Sequence, residues 1–227
     1  MQPILGILGG MGPYATLDFI RNIYKVTPNI NVDSDHIRIV SDINVKIPSR
    51  TRAVLFEEES PVQQMIESIE GLALLGAVYV AVPCNSAHYF YDLVNQHTTI
   101  KWINMLEIVA DKIGSDNKAN VLILGGYVTV TMRIYDQYIP QCCYLDTAGN
   151  ELVFELIEDL KLAKGHYQNT VDKIIESCLR QKAKTIVLAC TELTEVAELF
   201  SGKGIKIIDS NRVYAEALVE RVTTKYV

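Results

Sequence analysis

Apolar residues in this chain fall into two patterns. Short unbroken runs, such as Ile4-Leu5-Gly6-Ile7-Leu8, Val80-Ala81-Val82, Val121-Leu122-Ile123-Leu124 and Ile186-Val187-Leu188-Ala189, are bounded by glycine, proline or polar residues. Runs of that length predict buried strands, and residues 37–43 add a further one. Between them the apolar positions recur every three or four residues, which predicts helices over Ala15 to Val26, Met105 to Ile113, Thr131 to Tyr138, Glu151 to Lys164 and Asn211 to Val222. Strands alternating with helices, with no central Gly/Pro/Ser linker, predict parallel βαβ units. The expected fold is α/β, built as two pseudo-symmetric parallel-sheet domains packed face to face.

That symmetry rests on a repeat. Val80 to His88 carries a buried run into Pro83, Cys84, Asn85 and Ser86, and Ala183 to Thr191 has the same shape ending in Cys190. The offset is 106 residues. Applied to the preceding helix, it carries the apolar set Met65, Ile69, Leu72, Ala73 onto Val171, Ile175, Cys178, Leu179. The following strand repeats at an offset of 105, Ile100 to Asn104 matching Ile205 to Asp209. A helix–strand–Cys–helix–strand–helix unit is therefore present twice. We expect a first domain of residues 1–103 plus 208–227 carrying Cys84, and a second of residues 104–207 carrying Cys190.

Both cysteines are then expected at the carboxyl ends of strands, the edge where open α/β sheets bind ligands, with the cleft between the lobes holding the pair. Asn85 and Ser86 are suited to capping the next helix, whose N–H groups would favour a thiolate. The other three cysteines get no function: Cys178 falls on an apolar helix face, and Cys142 and Cys143 are adjacent at a loop or strand edge. An odd count of five, with no C-x-x-C spacing, argues against a disulfide framework or zinc site. No metal is expected.

Composition narrows the partners. The 227 residues are 49% hydrophobic and 21% charged, and the net charge of −6 comes without a dense basic run. Nucleic acid and anionic membranes are poor partners for such a surface, and a small molecule is the better expectation. No apolar run reaches about 18 residues, and a strand begins directly after Met1 without a cationic leader or cleavage pattern. The expected location is cytoplasmic.

Candidate chemistry lies in the loops. Gly9-Gly10-Met11-Gly12-Pro13 breaks the first strand before a helix, and Gly125-Gly126 is its counterpart. Without G-x-G-x-x-G or a Walker lysine this is either an anion-binding turn for a small carboxylate or simply a tight turn requiring positive φ. Arg50, after Pro48 and Ser49, either forks onto a carboxylate or is solvated. Glu57-Glu58-Glu59 reads as a solvated loop or helix start. Lys161, near a helix end, is read as complementing the helix dipole. His88, four residues after Cys84, is either a thiolate promoter or a satisfied structural histidine. Glu192 either orients a substrate amine, accepts a proton, or is only a helix N-terminal acid.

Gly-Gly-Met-Gly-Pro at 9–13, Ile-Pro-Ser-Arg at 47–50, Pro-Cys-Asn-Ser-Ala-His at 83–88 and Ala-Cys-Thr-Glu-Leu at 189–193 together resemble the aspartate/glutamate racemase family. The resemblance spans nearly the whole chain. It implies a cofactor-independent amino-acid racemase, usually a homodimer, in which one cysteine takes the α-proton and the other returns one on the opposite face. Cys84 and Cys190 fall on those positions. It further implies that Asn85, Ser86, Thr129 and Thr191 contact the substrate's α-carboxylate and amino group. Arg50 and Lys161 would contact its side-chain carboxylate, and Met11 would line the pocket floor. Chemistry agrees, because inverting a stereocentre by proton transfer needs a base on one face and an acid on the other.

The sequence departs from the family pattern at Ser49, where aspartate is usual, at Ser86, where threonine is usual, and at Gly126-Tyr127-Val128, Met132 and Arg133. These bear on substrate more than on reaction type. Aspartate is the first expectation and glutamate the second. The rivals are carbanion chemistry on a small diacid, such as malonate decarboxylation or cis-diacid isomerisation, and a non-catalytic amino-acid-binding protein.

Overall fold

The apolar runs pair as parallel strands in a computed structural model that describes residues 3–114 and 120–224. The chain divides into two compact units, Met1–Met105 with Arg212–Val227, and Leu106–Asn211. In the first, β1 (Ile4–Gly9) leads to α1 (Pro13–Val26), β2 (Ile39–Ile43), α2 (Arg50–Leu55), α3 (Val62–Leu74) and β3 (Ala77–Ala81). A 3-10 helix (Asn85–Phe90), α4 (Tyr91–Asn95) and β4 (Lys101–Trp102) complete it. α5 (Met105–Ile113) carries the chain into the second unit: β5 (Val121–Gly125), α6 (Tyr127–Thr131), β6 (Cys143–Tyr144), α7 (Thr147–Lys161), α8 (Gln168–Arg180) and β7 (Thr185–Ala189). A second 3-10 helix (Thr191–Phe200) and β8 (Lys206–Asp209) follow, and α9 (Ser210–Thr224) leads back.

The sheets have the same wiring. Their strand orders are β2-β1-β3-β4 and β6-β5-β7-β8, all parallel. In each, the connection reverses direction between the two central strands, so the ligand-binding end of an open sheet lies at the carboxyl ends of β1 and β3, and of β5 and β7. Those ends carry the glycine turns and the two cysteines.

The repeat is sharpest in the helices that cover these strands. Met65, Ser68, Ile69 and Leu72 are the buried positions of α3, and Val171, Ile174, Ile175 and Cys178 occupy the same four places on α8. They pack on Leu8, Val80 and Val82 in the first unit, and on Leu122, Leu124, Ile186 and Leu188 in the second. Leu179, expected on the apolar face, is instead 48% exposed, and Ala73 is only half-buried. With about 3.6 residues per turn, position i+8 lies about 80° from i, at the edge of the stripe. Here it falls in the last turn of each helix, where less of the sheet covers it.

Two other local expectations are corrected. Residues 132–138 are turns rather than helix, because α6 stops at Thr131 and Arg133 takes a left-handed φ of 49°. Its guanidinium binds Asp136 at 2.7 Å, and the Tyr144 hydroxyl donates to the same carboxylate at 3.0 Å, giving the segment a non-helical network. The segments after both cysteines begin as 3-10 helices, and the cap positions belong to Cys84 and Cys190 themselves rather than to Asn85 and Ser86. Of the acidic triplet, Glu58 pairs with Arg52 at 2.6 Å on the surface.

Candidate active site

In the first unit the site grows from the close packing of β1 and β3. Gly9 lets Thr16 of α1 fold back against the strand end, where the Thr16 hydroxyl accepts the Gly10 N–H at 3.1 Å and donates to the Gly12 carbonyl at 2.8 Å. Gly10 has φ +90°, and a Cβ there would strike the Asn44 backbone. The turn therefore requires glycine, and it presents Met11 to a buried cluster shared with Ile47, Met65, Val82 and Cys84.

Cys84 is 5% exposed, and its Sγ lies 3.4 Å from the Ser86 hydroxyl. Asn85 is buried beside it. The loop is held from below by Tyr214 of α9, whose hydroxyl accepts the Val82 N–H at 3.3 Å and donates to the Ile103 carbonyl at 2.6 Å. Nothing in the local sequence announced Tyr214, which arrives from the far end of the chain.

His88 resolves into the structural alternative. Its Nε2 accepts the Met105 N–H at 3.0 Å, so the ring proton sits on Nδ1 and is donated to the Cys84 carbonyl at 2.9 Å. Both nitrogens are occupied by backbone, and Trp102 packs on the ring. Burial lowers its pKa to about 4, opposed by the bonds to the Cys84 and Asn85 backbone. The unfolded chain therefore takes up a proton between pH 6.5 and 4 that the folded chain refuses. The neutral ring's contribution is complete above pH 6.5 and is lost as pH falls toward 4, about 3 kcal/mol in all. Thermal midpoints across that range should fall more steeply for the wild type than for His88→Gln, and parallel curves would contradict this role.

Arg50 opens α2 after the Ser49 cap. Its guanidinium donates to the carbonyls of Pro48 at 2.8 Å, Ile47 at 3.3 Å and Met11 at 3.5 Å. Its Nε is buried without a partner, and no acidic side chain pairs with it among the described residues. Backbone oxygens thus orient a half-buried cation whose charge is not neutralised, next to the Met11 turn. A guanidinium held in this way has the charge and the donors to pair with a carboxylate.

The second unit repeats the plan with different side chains. Gly125 ends β5 so closely against Thr129 that an added Cβ would lie 2.7 Å from its Cγ2, and Thr129 is buried. Cys190 follows β7 and is half-buried, and its thiol donates to the Glu192 carboxylate at 3.0 Å. The buried Thr191 donates its hydroxyl to the same oxygen at 3.2 Å. Loss of hydration first, then the charge and hydrogen bond of the Glu192 carboxylate, push the Cys190 thiol well above the ordinary cysteine range, against the pull of the Glu192 backbone N–H and of Lys161.

Lys161 lies at the end of α7 with its side chain 46% exposed, paired with Glu158 at 2.7 Å. Partial burial works against its charge, but the Glu158 bond and the negative charges of Glu192 and Glu158 outweigh it and raise its pKa. Tyr127, one of the departures from the family pattern, stacks on Phe154 with ring centroids 3.8 Å apart. Of the predicted residues, Met11, Arg50, Asn85 and Ser86 belong to the unit that carries Cys84, and Thr129, Lys161, Thr191 and Glu192 to the unit that carries Cys190. No cluster of three or more His, Cys, Asp and Glu side chains among the described residues is arranged to hold a metal ion.

The profile of the Asp/Glu/hydantoin racemase family matches residues 8–218. The chain belongs to that family. This racemase is 26% identical over 226 residues to the broad specificity amino-acid racemase RacX of Bacillus subtilis, covering 95% of this chain and 96% of the relative. It is 29% identical to the aspartate racemase of Picrophilus torridus, with a TM-score of 0.83 over 97% of this chain and 94% of that one. A glutamate racemase of Bacillus anthracis shares the fold at 17% identity, with a TM-score of 0.70 over 99% and 83% of the two chains. The racemase also has no helix, among the described residues, long and apolar enough to cross a membrane.

Two other cysteines of the racemase are held as thiols by their surroundings. Burial raises the thiol of Cys178 to about 12 on the core face of α8. Burial, followed by the Asp136 hydrogen bond, does the same to Cys142.

Proposed function

We propose that this chain racemises an acidic amino acid, aspartate before glutamate, without a cofactor, by proton transfer between Cys84 and Cys190. The observation that carries the substrate class is Arg50, a half-buried guanidinium held by three carbonyls and left without a carboxylate. A second carboxylate on the substrate's side chain would complete it. Kinship with an aspartate racemase at 29% identity supports the same choice, whereas the match to a broad specificity racemase favours a wider set.

In this reading one sulfur, as thiolate, removes the α-proton and the other, as thiol, protonates the carbanion from the opposite face. The reading requires both thiols to reach one Cα. The α-carboxylate and amino group fall to Asn85, Ser86, Thr129 and Thr191, with Met11 on the pocket floor. Lys161 would serve the side-chain carboxylate by exchanging Glu158 for substrate.

The test is chiral chromatography after separate incubation with each enantiomer of the amino acids, using enzyme dialysed against a chelator and with no pyridoxal phosphate added. Aspartate should run to an equal mixture from either side, at the highest kcat/KM of the set. Activity that appears only with added metal or pyridoxal phosphate contradicts the proposal. Binding without turnover, or release of carbon dioxide from a malonate, would assign the chain to one of the rival classes.

A further inference from the structure

The 106-residue repeat that relates Cys84 to Cys190 also relates Ser86 to Glu192. Each side chain, two residues beyond its cysteine, touches that cysteine's sulfur: the Ser86 hydroxyl lies 3.4 Å from Cys84, and the Glu192 carboxylate 3.0 Å from Cys190. The two halves thus share a backbone plan but differ in one chemical respect. A hydroxyl can donate to a thiolate, whereas a carboxylate only accepts, so it holds a thiol and repels a thiolate.

We propose that Glu192 polarises the pair: it keeps Cys190 protonated before substrate binds, so that Cys190 enters the cycle as the acid and Cys84 as the base. This rests on the reading above, in which both sulfurs serve one Cα.

The groups around each sulfur fit the assignment. Facing Cys190 are Glu192 and Thr191 from its own 3-10 helix and Lys161 from α7. Among the described residues the Glu192 backbone N–H and the Lys161 charge oppose the Glu192 carboxylate, and Lys161 is shared with Glu158. On the Cys84 side, His88 is neutral and turned to backbone. Against the 3-10 helix after Cys84 pack α2, whose charged groups are Arg50 and the surface-paired Arg52, both cationic, and α4, which carries the exposed Asp92.

The cycle balances. The Cys84 thiolate forms an S–H bond with the α-proton, and the Cα–H electron pair passes into the enolate of the α-carboxylate. Cα then takes the Cys190 proton on its other face, and that S–H pair stays on sulfur. The product state holds a Cys84 thiol and a Cys190 thiolate beside a carboxylate. It returns to the resting form by net transfer of one proton from Cys84 to Cys190 through solvent.

Because enantiomers have an equilibrium ratio of one, kcat/KM must be equal in both directions. The enantiomer that requires the Cys190 thiolate should therefore show a higher KM and, by the same factor, a higher kcat.

The test needs no substrate. Wild type and Glu192→Gln are treated with iodoacetamide at pH 7, and alkylation of each cysteine is followed on its own peptide by mass spectrometry. Cys190 should accelerate about tenfold in Glu192→Gln while Cys84 is unchanged. Comparing each cysteine with itself across variants removes differences in access. An unchanged Cys190 rate in Glu192→Gln overturns the proposal.

Should Glu192→Gln not fold, Ser86→Asp places a carboxylate in the mirrored position and should slow Cys84 about tenfold, and no slowing would count against the idea. A chain with the expected alkylation pattern that racemises nothing would refute the proposed reaction and leave Glu192's hold on Cys190 standing. In active enzyme, Glu192→Gln should bring the KM values of the two enantiomers together.

Discussion

Cys84→Ala and Cys190→Ala are each expected to abolish racemisation. A positioned acid or base contributes about 10²–10⁴-fold, and inversion needs one on each face, so losing either removes the reaction rather than halving it. The two sulfurs stand at equivalent places, each in the cap position after the third strand of its own four-stranded sheet in chain order. In deuterated water, starting from one enantiomer of aspartate, the wild-type product should carry solvent deuterium early while unreacted substrate keeps its protium. Each alanine variant should still exchange the α-proton of one enantiomer, and of a different one in each variant, because the surviving sulfur can remove and return a proton on its own face. If either variant racemises aspartate at close to the wild-type rate, the two-thiol mechanism fails and that cysteine joins Cys142 and Cys178 as structural. The measurement is proton NMR of the α-position combined with chiral analysis of the same samples.

Arg50→Leu should reduce kcat/KM for aspartate at least about tenfold, since a desolvated charge-assisted pair broken on one side costs about 2–5 kcal/mol. The carbonyls of Ile47, Pro48 and Met11 already fix the guanidinium, so little of the binding energy is spent on orienting it. Alkylation of Cys190, which lies in the other unit, should be unaffected, which separates loss of substrate binding from collapse of the fold. Arg50→Lys should recover only part of the activity, because an ammonium cannot make the same fork. Unchanged aspartate kinetics in Arg50→Leu would mean that the arginine is a loop anchor and nothing more, and would remove the main support for an acidic substrate. Lys161→Met should act in the same direction more weakly, as its charge is already shared with Glu158.

Much of this protein could be read without coordinates, and the reason is periodicity. Fully buried parallel strands must be apolar throughout, so β1, β5 and β7 stand out as unbroken runs. Amphipathic helices must repeat near 3.6, so α3 and α8 align across the repeat residue for residue. A side-chain network overrides the pattern in one segment. The stretch from Thr131 to Tyr138 has helical spacing, but Asp136 gathers Arg133, Tyr144 and Cys142 around one carboxylate and bends the backbone through Arg133. Such competition between local side-chain bonds and a helix leaves no trace in hydrophobic spacing.

The sequence by itself therefore determined the fold class, the duplicated plan and the pair of cysteines at matching strand ends, because these follow from which residues avoid water and at what interval. Only the tertiary structure decided what each sulfur touches. Spacing left His88 open between a thiolate promoter and a structural histidine, and Glu192 between a substrate contact, a proton acceptor and a helix N-terminal acid. The fold turns both nitrogens of His88 to the backbone and brings Glu192 onto Cys190, because hydrogen bonds are set by the direction of a few torsions, to which composition and spacing are blind.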